Sequence, residues 1–442
     1  MVDNIPSKAP AVFQPEDHCI SRNSIDPDAL KIMYRLIHHG YKAYMVGGGV
    51  RDLLLNKEPK DYDITTDATP RKVKELFRNS RIIGRRFKLV HIFFGDGKIV
   101  QVATFRDVSD PIDTQDDSDG DSPAPHRLIT DNKYGTEETD AQRRDLTING
   151  LFYDLGTLSI IDYVGGMDDL REGIIRMIGD PDVRFKEDPV RMIRCVRHAA
   201  RSGFVIETNT YAAIARNREL LATCSSMRIF EEVKKDLLSG SALAIFRLLA
   251  QSSLLDLLLP ELTIHDWLLL SARSRCAAVL KHADQLIQSG ETIPAAAMLA
   301  VIALFTSEAA PIDESNPIAR FAEPEEIHAH VAACFARLAV PKKERERVED
   351  ILYWWHEART HGREARLGSL PRLDVYKELI AFATLLNNQG TEEETLNLLR
   401  HPPSNKRAPG PERAEGRAPR RRRSPGRRSR AHAGPSSATS EQ

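Results

Sequence analysis

The chain has 442 residues, 41% of them hydrophobic and 28% charged, enough apolar material for more than one packed domain. Its formal net charge of -1 conceals a segregation, because His401 to Gln442 carries eleven Lys and Arg against three Glu, a balance of +8 that leaves -9 on the preceding 400 residues. No apolar run approaches the roughly 20 residues that span a bilayer, no apolar segment follows a basic region at the start, and Cys19, Cys195, Cys224, Cys276 and Cys334 lack C-x-x-C spacing. These features exclude a membrane span, a disulfide framework and a zinc module, and they lead to the expectation of a cytoplasmic globular protein.

Taken along the chain, residues 28–39 predict an amphipathic helix closed by Gly40. YKAYMV, 41–46, reads as a short apolar strand, and Gly47, Gly48 and Gly49 mark a sharp turn into a helix expected near Val50. Glycine lets backbone N–H groups close on an anion. The helix N-terminus and the guanidinium of Arg51 add positive charge there, a combination suited to a triphosphate. KDYDIT, 60–65, predicts another strand, whose alternation places Asp61 and Asp63 on one side while Tyr62 and Ile64 face the core. Two carboxylates held together in this way are oxygen ligands for Mg2+. After IVQVATFR, residues Asp107 to Asp121 hold seven Asp and no Lys or Arg, which with Pro111, Pro123 and Pro125 predicts a solvated insert rather than a metal site.

Arg143, Arg144 and Asp145 open RRDLTINGLFYD, which by itself would be a surface ion-pair cluster. Asp162, Gly166 and Arg176 in DYVGGMDDLREGIIRMIG would by themselves mark a turn before an amphipathic strand. EDPVRMIRCVRHAARSGF, from Glu187, predicts a helix on which Asp188 and Arg191 share one face and Arg191, Arg194, Arg197 and Arg201 form a cationic stripe. A carboxylate beside a guanidinium can offer a base edge an acceptor and donors together. Met192, Ile193, Cys195, Val196, Ala199 and Ala200 leave the rest of this helix apolar, so it is expected to be packed. Arg228 and Glu232 stand i to i+4 in MRIFEEVKKDLL, and helical periodicity continues through SALAIFRLLAQSSLLDLLLPEL, IPAAAMLAVIALF and RVEDILYWWHEART. The His265–Asp266 pair lacks companion ligands and reads as coincidence. The final segment, with Arg420 to Arg423, Arg427, Arg428 and Arg430 among Pro, Gly and Ser, cannot bury a core and suits neutralisation of phosphates.

The stretch GGGVRDLLLNKEPKDYDITTD, 47–67, resembles the first motif of the bacterial tRNA nucleotidyltransferase and poly(A) polymerase family, of the polymerase-beta-like superfamily, in which G-G-x-x-R-D is followed shortly by D-x-D. The R-R-D segment, the head-to-neck segment with Asp162, the helix from Glu187 and the Arg228–Glu232 segment resemble later motifs of that family in its order. The resemblance implies an α+β N-terminal nucleotidyltransferase head, a mixed sheet with helices, then an all-α neck and body and a disordered basic tail. The implied bounds are an extension over 1–25, the head over 26–165 with an insert at about 107–139, the neck over 166–240, an RNA-binding body over 241–400 and the tail over 401–442.

It further implies a template-independent, Mg2+-dependent transfer of AMP from ATP to an RNA 3' end. Asp61 and Asp63 would hold the metals, with Asp145 completing or supporting the carboxylates. Gly47, Gly48 and Arg51 would orient the triphosphate, and Arg143 and Arg144 would reach ribose or phosphate. Asp188 and Arg191 would read adenine, and Arg194 and Arg197 would face phosphate or primer. The implied partners are RNA 3' ends, ATP and RNA-degradation machinery, for a monomer that binds no membrane. Within the family, IIGRRFKLVHI, with Gly84, Arg85, Arg86, Phe87 and His91, and the approach RLITDNKYGTEETDAQRRD resemble poly(A) polymerases, while a CCA-adding or A-adding tRNA enzyme stays open as the alternative. Gln101 stands where the family generally carries glutamate, which keeps open a second alternative, a catalytically weak RNA-binding protein.

Overall fold

The computed structural model describes residues 9–84, 88–107, 134–259, 274–306, 324–365, 367–388 and 390–403. Residues 1–8 of the N-terminal extension, Arg85, Arg86 and Phe87, most of the acidic insert, His265 with Asp266, and the arginine-rich tail beyond 403 lie outside the described residues.

Among the described residues, eight strands form one mixed sheet: β1 (Ala11–Phe13), β2 (Ala43–Val46), β3 (Asp63–Thr66), β4 (Ser80–Ile83), β5 (Leu89–Phe93), β6 (Ile99–Thr104), β7 (Leu151–Asp154) and β8 (Ser159–Asp162), in the order β1-β8-β7-β2-β3-β6-β5-β4. The β3–β6 pair is parallel, and the other neighbours are antiparallel. Helix α1 (Pro27–His38) starts on Asp26, whose carboxylate accepts from the backbone N–H groups of Asp28 and Ala29. Its buried Ala29, Ile32, Met33 and Leu36 fall at i, i+3, i+4 and i+7, so one stripe meets the sheet. That stripe and Val73 of α3 (Pro70–Leu76) share a core with Ile64, Val90, Ile92, Val100 and Val102. On the opposite face of the sheet's centre, Tyr44, Val46, Phe105, Ala141 and Phe152 form a second cluster, to which α4 (Glu137–Arg143) contributes Ala141.

Two local expectations are corrected. The helix after the glycines, α2, spans Gly48–Leu54 and so begins two residues before Val50. The strand expected over 60–65 begins only at Asp63, so Asp61 and Tyr62 precede the ladder and strand alternation does not place them.

Beyond the sheet the chain is chiefly helical: α5 (Gly166–Glu172), α6 (Pro181–Glu187), α7 (Val190–Ser202), α8 (Thr208–Asn217), α9 (Ser226–Leu237) and α10 (Ala242–Gln251) follow in turn. The expected mixed head followed by helices is the fold observed. Asp162 fastens the passage into α5, its carboxylate accepting from the backbone N–H groups of Val164, Gly165 and Met167 at 2.9 Å each. Gly166 is needed there because a Cβ would come within 2.1 Å of the Thr147 carbonyl oxygen. Further on, the helix Ala295–Thr306 is buried from Ala296 onward, as an all-apolar helix must be, and packs on Lys342–His361, where Trp355 meets Phe382 edge-on at 5.6 Å. No described helix is long and apolar enough to cross a membrane.

Candidate active site

Asp63 opens β3 beside Val46 at the end of β2, and Gly47 follows at a φ of 69°, a conformation that glycine adopts without steric cost. A Cβ on Gly47 would lie 3.2 Å from Arg144 Nη1 and 3.8 Å from Asp63 Oδ2, so the bare glycine backbone lets this guanidinium and this carboxylate gather against the turn. Gly49 plays the same part for the preceding segment, since a Cβ there would stand 3.2 Å from the Asp61 carbonyl oxygen. Burial pushes the Asp63 carboxyl above the usual carboxylate range, Arg144 opposes that shift and neighbouring Asp61 adds to it. Two hard oxygen donors, one exposed and one half-buried with its charge incompletely balanced, fit a divalent cation that takes its remaining ligands from phosphates and water. Among the described residues no group of three or more His, Cys, Asp or Glu side chains is arranged for a metal, so Asp145 does not complete a three-carboxylate cluster.

Asp145 is instead a buried tie. Its Oδ1 accepts from Leu146 N at 2.8 Å and Asn149 Nδ2 at 3.2 Å, and its Oδ2 lies 2.7 Å from Arg194 Nη2. Burial alone would raise its pKa, but Arg194 and these hydrogen bonds outweigh burial and hold it far below the usual range. Asn149 in turn accepts from Arg51 Nη1 at 2.7 Å, and the same nitrogen lies 3.2 Å from His198 Nδ1. Arg51 also donates to Asp52 from Nε and Nη2. The donor fork expected to meet a triphosphate is therefore buried and engaged by protein groups, and it braces α2 against α7. Arg144 donates to Asp140 at 3.0 Å and stacks over Phe152 at 5.4 Å, while Arg143 donates to the Asp107 carbonyl oxygen. Arg184 of α6 fastens this segment by donating to the carbonyl oxygens of Arg143 and Arg144 at 2.7 and 2.8 Å.

Asn149 and His198 escaped the sequence reading because each sits inside a motif whose charged residues draw attention first. His198 is half-buried, and desolvation lowers its pKa to about 3, with Arg51 adding to the shift. Its folded pKa is thus below the ordinary 6.5, so the unfolded chain binds the extra proton first and stability falls as pH drops through 6.5 toward 3. His198→Gln is expected to flatten the loss of urea resistance between about pH 6.5 and pH 5. Parallel curves for the two proteins would contradict it.

The helix expected from Glu187 is broken. Asp188 precedes Pro189, which disfavours helical backbone, and sits extended at φ -150° and ψ 95° between α6 and α7. Asp188 and Arg191 therefore do not form the shared-face pair expected. Asp188 binds Arg228 at 2.8 Å, and buried Arg191 donates to Glu187 and to the Arg184 carbonyl oxygen at 3.0 Å each. The stripe on α7 is divided among different acids: Arg191 to Glu187, Arg194 to Asp145, and Arg197 to Glu232 at 2.6 Å and to Asp236. Arg197 is thus buried among its acids, while Arg194 pairs with Asp145 from an exposed position. Arg228 and Glu232 brace α7 from α9, through Asp188 and Arg197 respectively, and are not paired with each other.

A model described as the poly A polymerase head domain matches residues 43–176, which include both carboxylates, the glycine turn and the R-R-D segment. A second, described as a probable RNA and SrmB-binding site of polymerase A, matches residues 203–265. Over these segments the chain is similar to proteins of the tRNA nucleotidyltransferase and poly(A) polymerase family. Among relatives in this family, Poly(A) polymerase I of Escherichia coli is 48% identical over 257 residues, 57% of this chain and 54% of the relative. A CCA-adding enzyme of Bacillus pumilus is 40% identical over 212 residues, 48% of this chain and 50% of the relative. The chain spans about half the length of the curated relatives it matches. The crystal structure of the Bacillus stearothermophilus CCA-adding enzyme in complex with CTP aligns with a TM-score of 0.58 at 26% identity, covering 85% of this chain and 82% of that one.

Proposed function

We propose that the chain is a template-independent RNA adenylyltransferase that extends RNA 3' ends with AMP from ATP and releases pyrophosphate. The observation that carries this choice within the family is the 48% identity over 257 residues to Poly(A) polymerase I, higher and longer than the 40% over 212 residues to a CCA-adding enzyme. In the reaction the terminal ribose hydroxyl oxygen bonds to the α-phosphorus of ATP, the bond from that phosphorus to the bridging oxygen breaks, and the hydroxyl proton is released. Mg2+ held by Asp61 and Asp63 would supply the positive charge that activates the hydroxyl and stabilises departing pyrophosphate. Arg144, beside Asp63, balances part of the carboxylate charge and would be available to a phosphate oxygen. Gly47 and Gly48 leave the turn free of side chains. Asp145, Asn149, Arg51, Arg194 and His198 act as positioning residues that hold α7 on the sheet.

Base choice is assigned to the α6–α7 break, where Asp188 is held by Arg228 and lies three residues before Arg191. Helices after about residue 166 would serve as neck and those after about 240 as RNA-binding body; the head-domain match, which ends at residue 176, accords with the first of these bounds. We also infer a monomer that acts in the cytoplasm and feeds tailed RNA to degradation machinery, and the tail beyond 403 would add phosphate contacts.

The test is incubation of the purified protein and Mg2+ with ATP or CTP and either an unstructured RNA or a tRNA lacking its CCA end. Long oligoadenylate on the generic RNA, with poor use of CTP, is expected on denaturing gels. A product that stops after one to three nucleotides and forms only on tRNA would replace this reading with the CCA-type alternative.

A further inference from the structure

The register of the sheet carries Asp63 into a second feature. Asp63 is directly opposite Gln101, Gln101 opposite His91, and His91 opposite Arg81. Directly opposed side chains point to the same face, so these four form one row that runs from the candidate catalytic carboxylate to the edge strand β4. At about 4.8 Å per strand the row is roughly 14 Å long, the length of about four stacked nucleotides at 3.4 Å each. Two residues farther along β5 and β6 on the same face, Phe93 and Ile99 are opposite each other and remain 40% and 44% exposed, with the His91 and Phe93 rings 6.4 Å apart. The alternate residues Val90, Ile92, Val100 and Val102 fill the core behind, so the exposed face is held rigid. Among the described residues the side chains of Arg81, His91 and Gln101 make no hydrogen bond or ion pair.

An aromatic ring, an adjoining imidazole, an unpaired guanidinium and a free amide on one open face are the components of a single-strand platform, where bases stack and a cation meets phosphate. We propose that this face of β4, β5 and β6, centred on Phe93 and His91, binds the last nucleotides of the single-stranded RNA whose 3' hydroxyl reaches Asp63. The proposal rests on the RNA-extension reading above and specifies the site of the primer. Continuity with Asp63 through hydrogen-bonded strands, and a cation at the far end with no partner among the described residues, favour RNA over a protein as occupant. Gln101 adds no negative charge to the row beside Asp63.

The experiment uses the full chain. Phe93→Trp should report binding of a short single-stranded oligoadenylate, without ATP, by quenched emission, and duplex RNA of equal length should leave the emission unchanged. Phe93→Ala should raise the Kd for the oligoadenylate about tenfold, the loss of one base stack. Arg81→Ala should weaken binding and reduce its salt dependence. Both variants should raise KM for RNA while leaving KM for ATP and kcat at saturating RNA unchanged, a split that misfolding would not produce. Wild-type affinity in both variants would overturn the proposal, as would self-association lost in Phe93→Ala without change in RNA affinity, which would assign the patch to a second copy of the chain. Because binding is read without ATP, quenching in a protein that never transfers AMP would retain the platform and remove only the catalytic reading.

Discussion

Asp63→Ala is expected to lower AMP transfer by about a thousandfold or more, because losing a carboxylate that holds the reacting centre removes several kcal/mol of charge stabilisation at about 1.4 kcal/mol per tenfold. Stability should move the other way. Burial raises the Asp63 carboxyl above its ordinary value, so the stability linked to its protonated form is present below the ordinary carboxylate pKa and is lost as pH rises through the raised one. Asp63→Asn, which keeps the shape and removes the charge, should therefore be more stable than the parent at neutral pH and gain little near pH 3. Asp61→Ala should also abolish transfer, but with little change in stability, because Asp61 is exposed. Single-turnover transfer and urea unfolding on the same samples separate the two effects. Near-normal turnover in Asp63→Ala, with an unchanged metal requirement, would remove Asp63 from the site.

The divergence between activity and stability at Asp63 also marks how much of the site could be read in the sequence. The glycine turn, the carboxylates and the arginine stripe were legible because each is a local pattern of residue types. Their contacts were not, since those depend on strands and helices far apart in the chain. Arg51 shows the difference: its position after a glycine turn predicts a phosphate ligand, yet Asn149 and His198, 98 and 147 residues away, occupy its guanidinium. A single proline separates Asp188 from the helix that carries Arg191, an effect that a pattern of charges does not reveal. The row from Asp63 through Gln101 and His91 to Arg81 likewise depends on strand register, which couples residues up to 38 positions apart.

Arg197→Met should cost about 3 to 5 kcal/mol of unfolding free energy, the range for removing one partner from a buried ion cluster. Arg197 Nη1 lies 2.6 Å from Glu232 Oε2, its Nη2 donates to the Glu232 carbonyl oxygen at 3.1 Å, and its Nε donates to Asp236. Asp236 is fully buried, and burial pushes it up to about 6 even though Arg197 opposes the shift. Burial works in the same direction on Glu232 but is outweighed by Arg197 and Lys235, so that carboxyl is lowered. Without Arg197, both acids are left with an uncompensated charge that only protonation relieves. The loss should therefore be largest at neutral pH and shrink as pH falls through about 6 and below, where Asp236 takes up its proton first and Glu232 follows. Adding Glu232→Leu and Asp236→Leu to Arg197→Met should recover most of the lost stability, because an apolar cluster of similar volume has no charge to desolvate. Urea unfolding of the single and triple variants at two pH values tests this. A single variant as stable as the parent at neutral pH would mean that α7 is not held on α9 by this cluster. Transfer should fall with stability in the single variant, since α7 also carries Arg194 on Asp145 and His198 on Arg51.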